Sequence, residues 1–288
     1  MKSVLITGTS KGIGLSTALA FGRAGYKVFA SMRNPSAAVA FTQQIEEEQL
    51  PITIAAMDVD SDESVKQCID AIIKEVGFID VLVNNAGIER HGSVEEMTMA
   101  DFKDVMETNF FGVLRCTKQL LPLMRTHRKG CIITVASVSG RIATSPLSAY
   151  AASKYAVEAA CESLAQEVKS FNIRVAIVEP GIINTQMAQG IGVNETSVYP
   201  QTKHMAGLFA ATLKNDPPNP SIVADKILEI ATTDNWHLRH PVGPDAFPFL
   251  QWRASMTDEQ YVDFNAAADE EYYTAVENTF GLNARQSQ

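Results

Sequence analysis

Ser3-Val4-Leu5-Ile6-Thr7-Gly8-Thr9-Ser10-Lys11-Gly12-Ile13-Gly14 reads as a short apolar, β-branched run, then a turn with three glycines. A helical pattern follows through Leu19 and Phe21. A strand that is apolar on both faces is one covered on both sides. Glycines between such a strand and a helix let the backbone come close to a pyrophosphate at the helix N-terminus, where free N–H groups and the dipole favour an anion. The spacing here is G-x-x-x-G-x-G. The turn therefore takes its meaning from its context: strand before, helix after.

Outward from this turn the chain alternates. Strands are expected over 27–32, 52–57, 80–84, 131–136, 174–178 and 236–242, with helices over 37–49, 61–76, 100–127 and 149–171. Strict β-α alternation with apolar runs selects an α/β fold: a Rossmann-like, doubly wound parallel sheet of about seven strands with helices on both faces. Asp216-Pro217-Pro218-Asn219-Pro220 reads as a rigid loop inside one domain spanning 1–288, not as a boundary. Alternation stops at 243, and the remainder reads as a helical C-terminal tail. Within the domain, 1–185 is expected to be the cofactor-binding and catalytic core, 186–220 the substrate-loop region and 244–288 the tail.

The bulk properties narrow the function. The 288 residues carry a formal charge of −9 and no Lys/Arg-rich run, so no nucleic-acid partner is expected. No apolar run reaches membrane-spanning length and no secretory signal is visible, so the expected location is cytoplasmic, with no membrane span. Cys68, Cys116, Cys131 and Cys161 are far apart in apolar or helical contexts and read as buried core thiols. His237 and His240 would lie on opposite faces of the seventh strand, so no metal site is expected.

The second strand ends Ala30-Ser31-Met32-Arg33-Asn34 without a carboxylate to accept from a ribose 2′-hydroxyl. Arg33 stands beside that place and Lys11 lies in the glycine turn. Two cations without an anion suit a 2′-phosphate, hence NADP(H) over NAD(H). Further on, Tyr150 and Lys154 are four apart on an expected helix, on one face. An ammonium there is expected to lower the phenol pKa towards working pH. Ser137 ends the fifth strand and Asn84-Asn85-Ala86-Gly87 the fourth, both at the carboxyl edge where open α/β sheets bind ligands. Asn109 falls inside the long helix 100–127, a poor place for Asn, which points to a local irregularity or a buried hydrogen bond.

With these motifs in order, the chain resembles the short-chain dehydrogenase/reductase family, in its shorter single-domain group. The matching residues are Thr7 to Gly14, Asp58 after the third strand, Asn84 to Gly87, Asn109, Ser137, Tyr150 with Lys154, and Pro180-Gly181 with Thr185. The stretch 27–34 and the long tail look similar to the branch of 17β-hydroxysteroid and retinol dehydrogenases. The resemblance implies a nicotinamide-dependent enzyme that interconverts a carbonyl and an alcohol. It implies that Gly8, Gly12, Ile13 and Gly14 face the pyrophosphate, that Ser10 also belongs to the cofactor site, that Asp58 and Val59 hold the adenine, and that Asn85, Ala86 and Gly87 line the adenosine ribose and the neighbouring phosphate region. Pro180, Gly181, Ile183 and Thr185 would hold the nicotinamide, and Lys154 its ribose. Ser137 would bond the substrate oxygen, Tyr150 exchange the proton, and Asn109 anchor a water that relays to Lys154. It also implies a homodimer or homotetramer.

The substrate is expected to be a small lipophilic carbonyl or alcohol, gripped by residues 182–213 as a mobile lid, with His91 in reach. A cofactor-binding sensor or scaffold without turnover is the alternative; the intact proton-relay residues count against it. An epimerase or dehydratase of the larger related group would need a different glycine spacing.

Overall fold

The computed structural model describes residues 1–214 and 216–285. The expected substrate-loop region includes residue 215 and the expected tail includes 286–288; these four lie outside the described residues. Seven parallel strands form one sheet: β1 (Ser3–Thr7), β2 (Lys27–Met32), β3 (Ile52–Ala56), β4 (Val81–Asn84), β5 (Gly130–Val135), β6 (Ile173–Pro180) and β7 (Arg239–Val242), in the order β3-β2-β1-β4-β5-β6-β7. The order reverses between β1 and β4, which opens a crevice at the carboxyl ends of the strands.

Successive side chains on a strand point to opposite faces, and β1 shows the consequence. Val4 and Ile6 join a buried cluster with Phe21 of α1 (Gly12–Arg23) and Val223 and Ile227 of α9 (Ser221–Thr232). Leu5 joins the opposite cluster with Ile69 of α3 (Asp62–Val76), Leu120 of α5 (Gly112–His127) and Val157 of α6 (Ser148–Val168). Between these lie α2 (Val39–Glu47) and α4 (Met99–Met106). All four cysteines are free and buried, as expected. Burial pushes the thiols of Cys68, Cys131 and Cys161 up to about 11 and that of Cys116 to about 12.

Two expected elements change. The helix over 100–127 is three pieces, because Glu107–Phe111 forms a π turn between α4 and α5; Asn109 sits in that turn, so the expected irregularity is there. The strand over 236–242 begins only at Arg239. The indole N–H of Trp236 donates to the Val175 carbonyl at 2.7 Å and so takes the acceptor a longer ladder would use. His237 is then off the strand, and its carbonyl lies 3.0 Å from Nε2 of His240. Among the described residues no group of side chains could hold a metal ion, and no helix is long and apolar enough to cross a membrane.

Residues 182–213 hold two helices, α7 (Gln186–Gln189) and α8 (Gln201–Lys214), where a loop was expected. The tail adds α10 (Ala246–Ala254), α11 (Asp258–Ala266) and α12 (Asp269–Phe280). Its aromatic side chains do not enter the sheet core. Phe249 and Tyr261 cluster with Ile142 and Ile182, and Tyr272 and Val276 with Ala284, above the carboxyl edge.

Candidate active site

A cavity of about 610 Å³ lies along that edge. It runs from the glycine turn, past the ends of β4, β5 and β6, to α8 and the tail helices. At one end, α1 begins at Lys11 with no side-chain cap, which leaves the first-turn N–H groups facing the cavity. The turn is closely packed. A Cβ on Gly14 would lie 2.3 Å from the Gly8 carbonyl oxygen and 2.4 Å from Asn85 Nδ2. Asn85 Nδ2 donates to the carbonyls of Thr7 and Gly8 at 2.9 and 3.0 Å, and the Thr7 hydroxyl accepts from the N–H groups of Asn85 and Ala86, each at 2.9 Å. The Asn85 side chain therefore pins the turn, while Ala86 and Gly87 line the cavity. An uncapped helix start behind a glycine turn fits a pyrophosphate.

Ser10, Lys11, Gly12, Ile13, Arg33, Asp58 and Val59 all line the same end. Arg33 and Lys11 are exposed at its rim. Arg33 is at the end of β2, as expected; the Lys11 ammonium donates to Oε1 of Gln186 at 2.7 Å, tying the glycine turn to α7. Asp58 holds the loop after β3: its N–H donates to Ser64 Oγ at 2.9 Å and its Oδ1 accepts from the Asp60 N–H at 3.2 Å. Asp60 and Thr108 also line the cavity.

Ser137, Tyr150 and Lys154 meet at the middle of the cavity. Ser137 is buried where β5 ends, and its Oγ accepts from the Ser139 N–H at 3.1 Å. Lys154 is buried, and Nζ donates to the Val135 carbonyl at 2.9 Å and lies 5.5 Å from the centre of the Tyr150 ring. Burial holds the ammonium down to about 8, against the pull of Glu158. The expected lowering of Tyr150 is not what this environment produces: burial pushes the phenol up to about 12, the Ser137 hydroxyl works against that, and the charge of Glu89 adds to it.

Asn109 is buried and clamps two segments. Its Oδ1 accepts from the Ile88 N–H at 2.8 Å, and Nδ2 donates to the Ile88 carbonyl and to Ser153 Oγ, each at 2.9 Å. Pro180, Gly181, Ile183 and Thr185 line the cavity beside Ser137, and Ser137 Oγ approaches the Pro180 carbonyl at 3.5 Å. His91 is exposed and absent from the lining; its ring contacts Glu89, which does line the cavity.

Several residues in the lining or directly behind it escape the sequence motifs. Asp245 Oδ2 accepts from the Ile182 N–H at 2.7 Å, and its carboxylate fills the space a Cβ on Gly181 would need. Phe249, Trp252, Tyr261, Phe264, Tyr272 and Phe280 wall the far end with Leu208 and Phe209 of α8. Leu208 and Phe209 lie in the expected substrate segment; the only sequence signal of the tail residues is the density of aromatics after 246.

The family profile described as short chain dehydrogenase matches residues 2–216. Oxidoreductase BOA17 of Botryotinia fuckeliana is 34% identical over 271 residues, covering 91% of this chain and 97% of that protein. Retinol dehydrogenase 8 of Bos taurus is 42% identical over 189 residues, 64% of this chain and 60% of that protein. A short-chain dehydrogenase from Streptomyces avermitilis superposes with a TM-score of 0.77 at 30% identity, covering 91% of this chain and 95% of that one. ElxO with NADP bound gives 0.71 at 28% identity, covering 85% and 98%. By the profile match and the near full-length relatives, the chain belongs to the short-chain dehydrogenase family of oxidoreductases.

Proposed function

We propose that the protein interconverts a lipophilic ketone or aldehyde and its alcohol with NADP(H), and that Ser137, Tyr150, Lys154 and Asn109 carry the reaction. The observation behind this reading is the convergence of Ser137, Tyr150 and Lys154 on one cavity that joins an anion-fitting glycine turn to an apolar end. Pro180, Gly181, Ile183 and Thr185 would hold a nicotinamide, whose chemistry would be to supply or accept hydride. Ser137 donates a hydrogen bond to the substrate oxygen as negative charge grows there, and a donor aimed at developing charge contributes about 3 to 4 kcal/mol in a dry site. Tyr150, protonated across the neutral range, gives its proton to that oxygen. Lys154, its Nζ 5.5 Å from the centre of the Tyr150 ring, would support the phenolate left behind and bind the nicotinamide ribose. With its side chain engaged by Ile88 and Ser153, Asn109 takes part by holding α6 and the segment after β4 in place.

Lys11 and Arg33 at the rim support NADP(H), as does the likeness to ElxO with NADP bound. Residues 1–185 then form the cofactor and catalytic core of one domain, with 186–220 and the tail from 244 enclosing the substrate. Self-association as a dimer or tetramer is part of the same reading, supported by membership of the family.

The test is NADPH oxidation with a panel of ketones and aldehydes. Wild-type protein is expected to turn over lipophilic members, whereas Tyr150→Phe loses turnover and binds NADPH within about twofold of wild type, since the hydroxyl has a chemical role and little share in cofactor binding. No oxidation by wild type across the panel would leave the sensor reading standing, and near-normal turnover by Tyr150→Phe would sink the mechanism.

A further inference from the structure

Two carboxyl groups stand behind Lys154 with no part in the reaction as proposed. Glu158 is one helical turn past Lys154 on α6, and Glu179 is the penultimate residue of β6. Their side chains are 6% and 0% exposed. Arg239 Nε donates to Glu158 Oε2 at 2.9 Å and lies 4.0 Å from Glu179 Oε1. Arg141 donates to Glu179 Oε1 at 3.2 Å. The other oxygen of each group, Glu158 Oε1 and Glu179 Oε2, is buried with no hydrogen-bond partner. A carboxylate oxygen kept from water and left unpaired is costly, and protonation relieves that cost.

The surrounding charges show what such a proton would do. From α6 come Lys154, Glu158, Glu162 and the buried thiol of Cys161; β6 supplies Glu179, β7 supplies Arg239, and the segment after Ser137 supplies Arg141. Fully ionised, Lys154, Arg141 and Arg239 balance Glu158, Glu162 and Glu179. A proton on Glu158 leaves one cation uncompensated. Arginine cannot yield its proton in a protein, so Lys154 is the cation in this group that responds. Burial and the charge of Glu179 hold the Glu158 carboxyl well above the usual range, and Glu158 in turn supports the Lys154 ammonium. The backbone after Ser137 lies directly on this turn: a Cβ on Gly140 would be 2.9 Å from Glu158 Cγ and 3.1 Å from the Lys154 carbonyl oxygen.

We propose that Glu158, backed by Glu179, is a positioning residue for the proton-transfer pair, and that its ionisation keeps Lys154 charged as pH rises past neutrality. The inference rests on the reading of Lys154 given above, and its test needs no turnover. In protein labelled with 13C at lysine Cε, the Lys154 resonance is identified by its loss in Lys154→Met and followed against pH. The Lys154 midpoint is expected to fall by about one pH unit in Glu158→Gln. It should move less than about half as far in Glu179→Gln, where Glu158 remains to supply the charge. The alkaline limb of kcat against pH should move down with the midpoint in Glu158→Gln, a change that a purely structural role would not produce. The wild-type Lys154 resonance should also carry a second inflection near neutral pH as Glu158 ionises, which decides the matter if Glu158→Gln does not fold. An unmoved midpoint in folded Glu158→Gln, or a wild-type titration with a single step, would overturn the proposal. Failure of the catalytic reading would show instead as normal turnover by Tyr150→Phe.

Discussion

Lys154 is a cation held where charge is costly. Its ammonium, held down to about 8 by burial, titrates near 10.4 in an unfolded chain. Below the folded value both states carry the charge, and the folded state bears the full penalty. As pH rises between the two values the folded lysine loses its proton first, the unfolded chain binds more protons, and stability rises with pH. We therefore expect wild type to gain up to about 3 kcal/mol relative to Lys154→Met between pH 7 and pH 10. Denaturant unfolding of both proteins at the two pH values measures this, and a constant difference would mean that Lys154 is not buried as a strained cation. Arg33 poses a separate question at the same scale, because it is exposed at the rim of the cavity and a 2′-phosphate would give its fork a bidentate partner. Arg33→Ala should weaken NADPH about tenfold, the loss of a charge-assisted hydrogen bond, and leave NADH nearly unchanged. Met32→Asp with Arg33→Ala should reverse the preference, since an acid there accepts from a free ribose hydroxyl and repels a phosphate. Equal damage with both cofactors, measured as kcat/KM, would reduce Arg33 to surface charge.

The segment from β6 to α7 shows how an element end is held at the edge of the cavity. β6 closes on Pro180, and the next backbone is held from the far side by Asp245, just past β7. Asp245 reaches so close that a Cβ on Gly181 would lie 2.1 Å from Oδ1. Gly181→Ala must therefore either displace the Asp245 carboxylate, with loss of its bond from the Ile182 N–H, or push the turn into the cavity. A displacement of that size near reacting atoms costs on the order of tenfold to a hundredfold in kcat/KM, and Asp245→Ala in the same chain should restore part of it by making room. Absence of any rescue in the double variant would show that the damage to Gly181→Ala comes from elsewhere. The π turn at Glu107–Phe111 is the second such element. It lets α4 and α5 run on as one rod while Asn109 turns inward to Ile88 and Ser153, and π turns are often found at functional positions.

At the scale of the molecule, the cavity has two makers. The sheet edge supplies its polar, cofactor-fitting end, and the tail with α8 supplies the apolar end. The two parts of that wall meet closely: a Cβ on Gly207 of α8 would lie 2.0 Å from the carbonyl oxygen of Ala284. His204 of α8 stacks on Tyr272 with ring centres 4.0 Å apart and bonds Asp269 at 2.9 Å. Trp252 holds the wall together, with its ring 4.9 Å from that of Phe264, 5.2 Å from Phe280 and 5.7 Å from Tyr261. Trp252→Ala should cost about 2 kcal/mol of stability, below the full-burial range because the indole is only partly buried. It should also raise KM for large apolar substrates while NADPH affinity stays put. Thermal unfolding and substrate kinetics check the two effects, and a rise in KM for the cofactor would mean that the tail supports the sheet edge rather than the substrate end.

Much of this was legible in the chain because its cause is local. The bounds of β1 and β2 follow from runs of apolar and β-branched residues, and the glycine turn from one stretch of eight residues. Tyr150 and Lys154 share a face because four residues make about one helical turn. The order of the motifs carried the family. What local pattern could not express was anything that depends on which distant segment arrives. The Trp236 indole shortens β7 by taking a β6 carbonyl, Asp245 fills the space behind Gly181, and burial lifts the Tyr150 phenol where its neighbour on the helix alone pointed the other way. The tail shows only a rise in aromatic content, because a wall is a property of the surfaces it joins. Periodicity and turn chemistry act over a few residues and belong to the sequence; desolvation, steric fit and the pairing of buried charge act across the fold, and only the tertiary structure decides them.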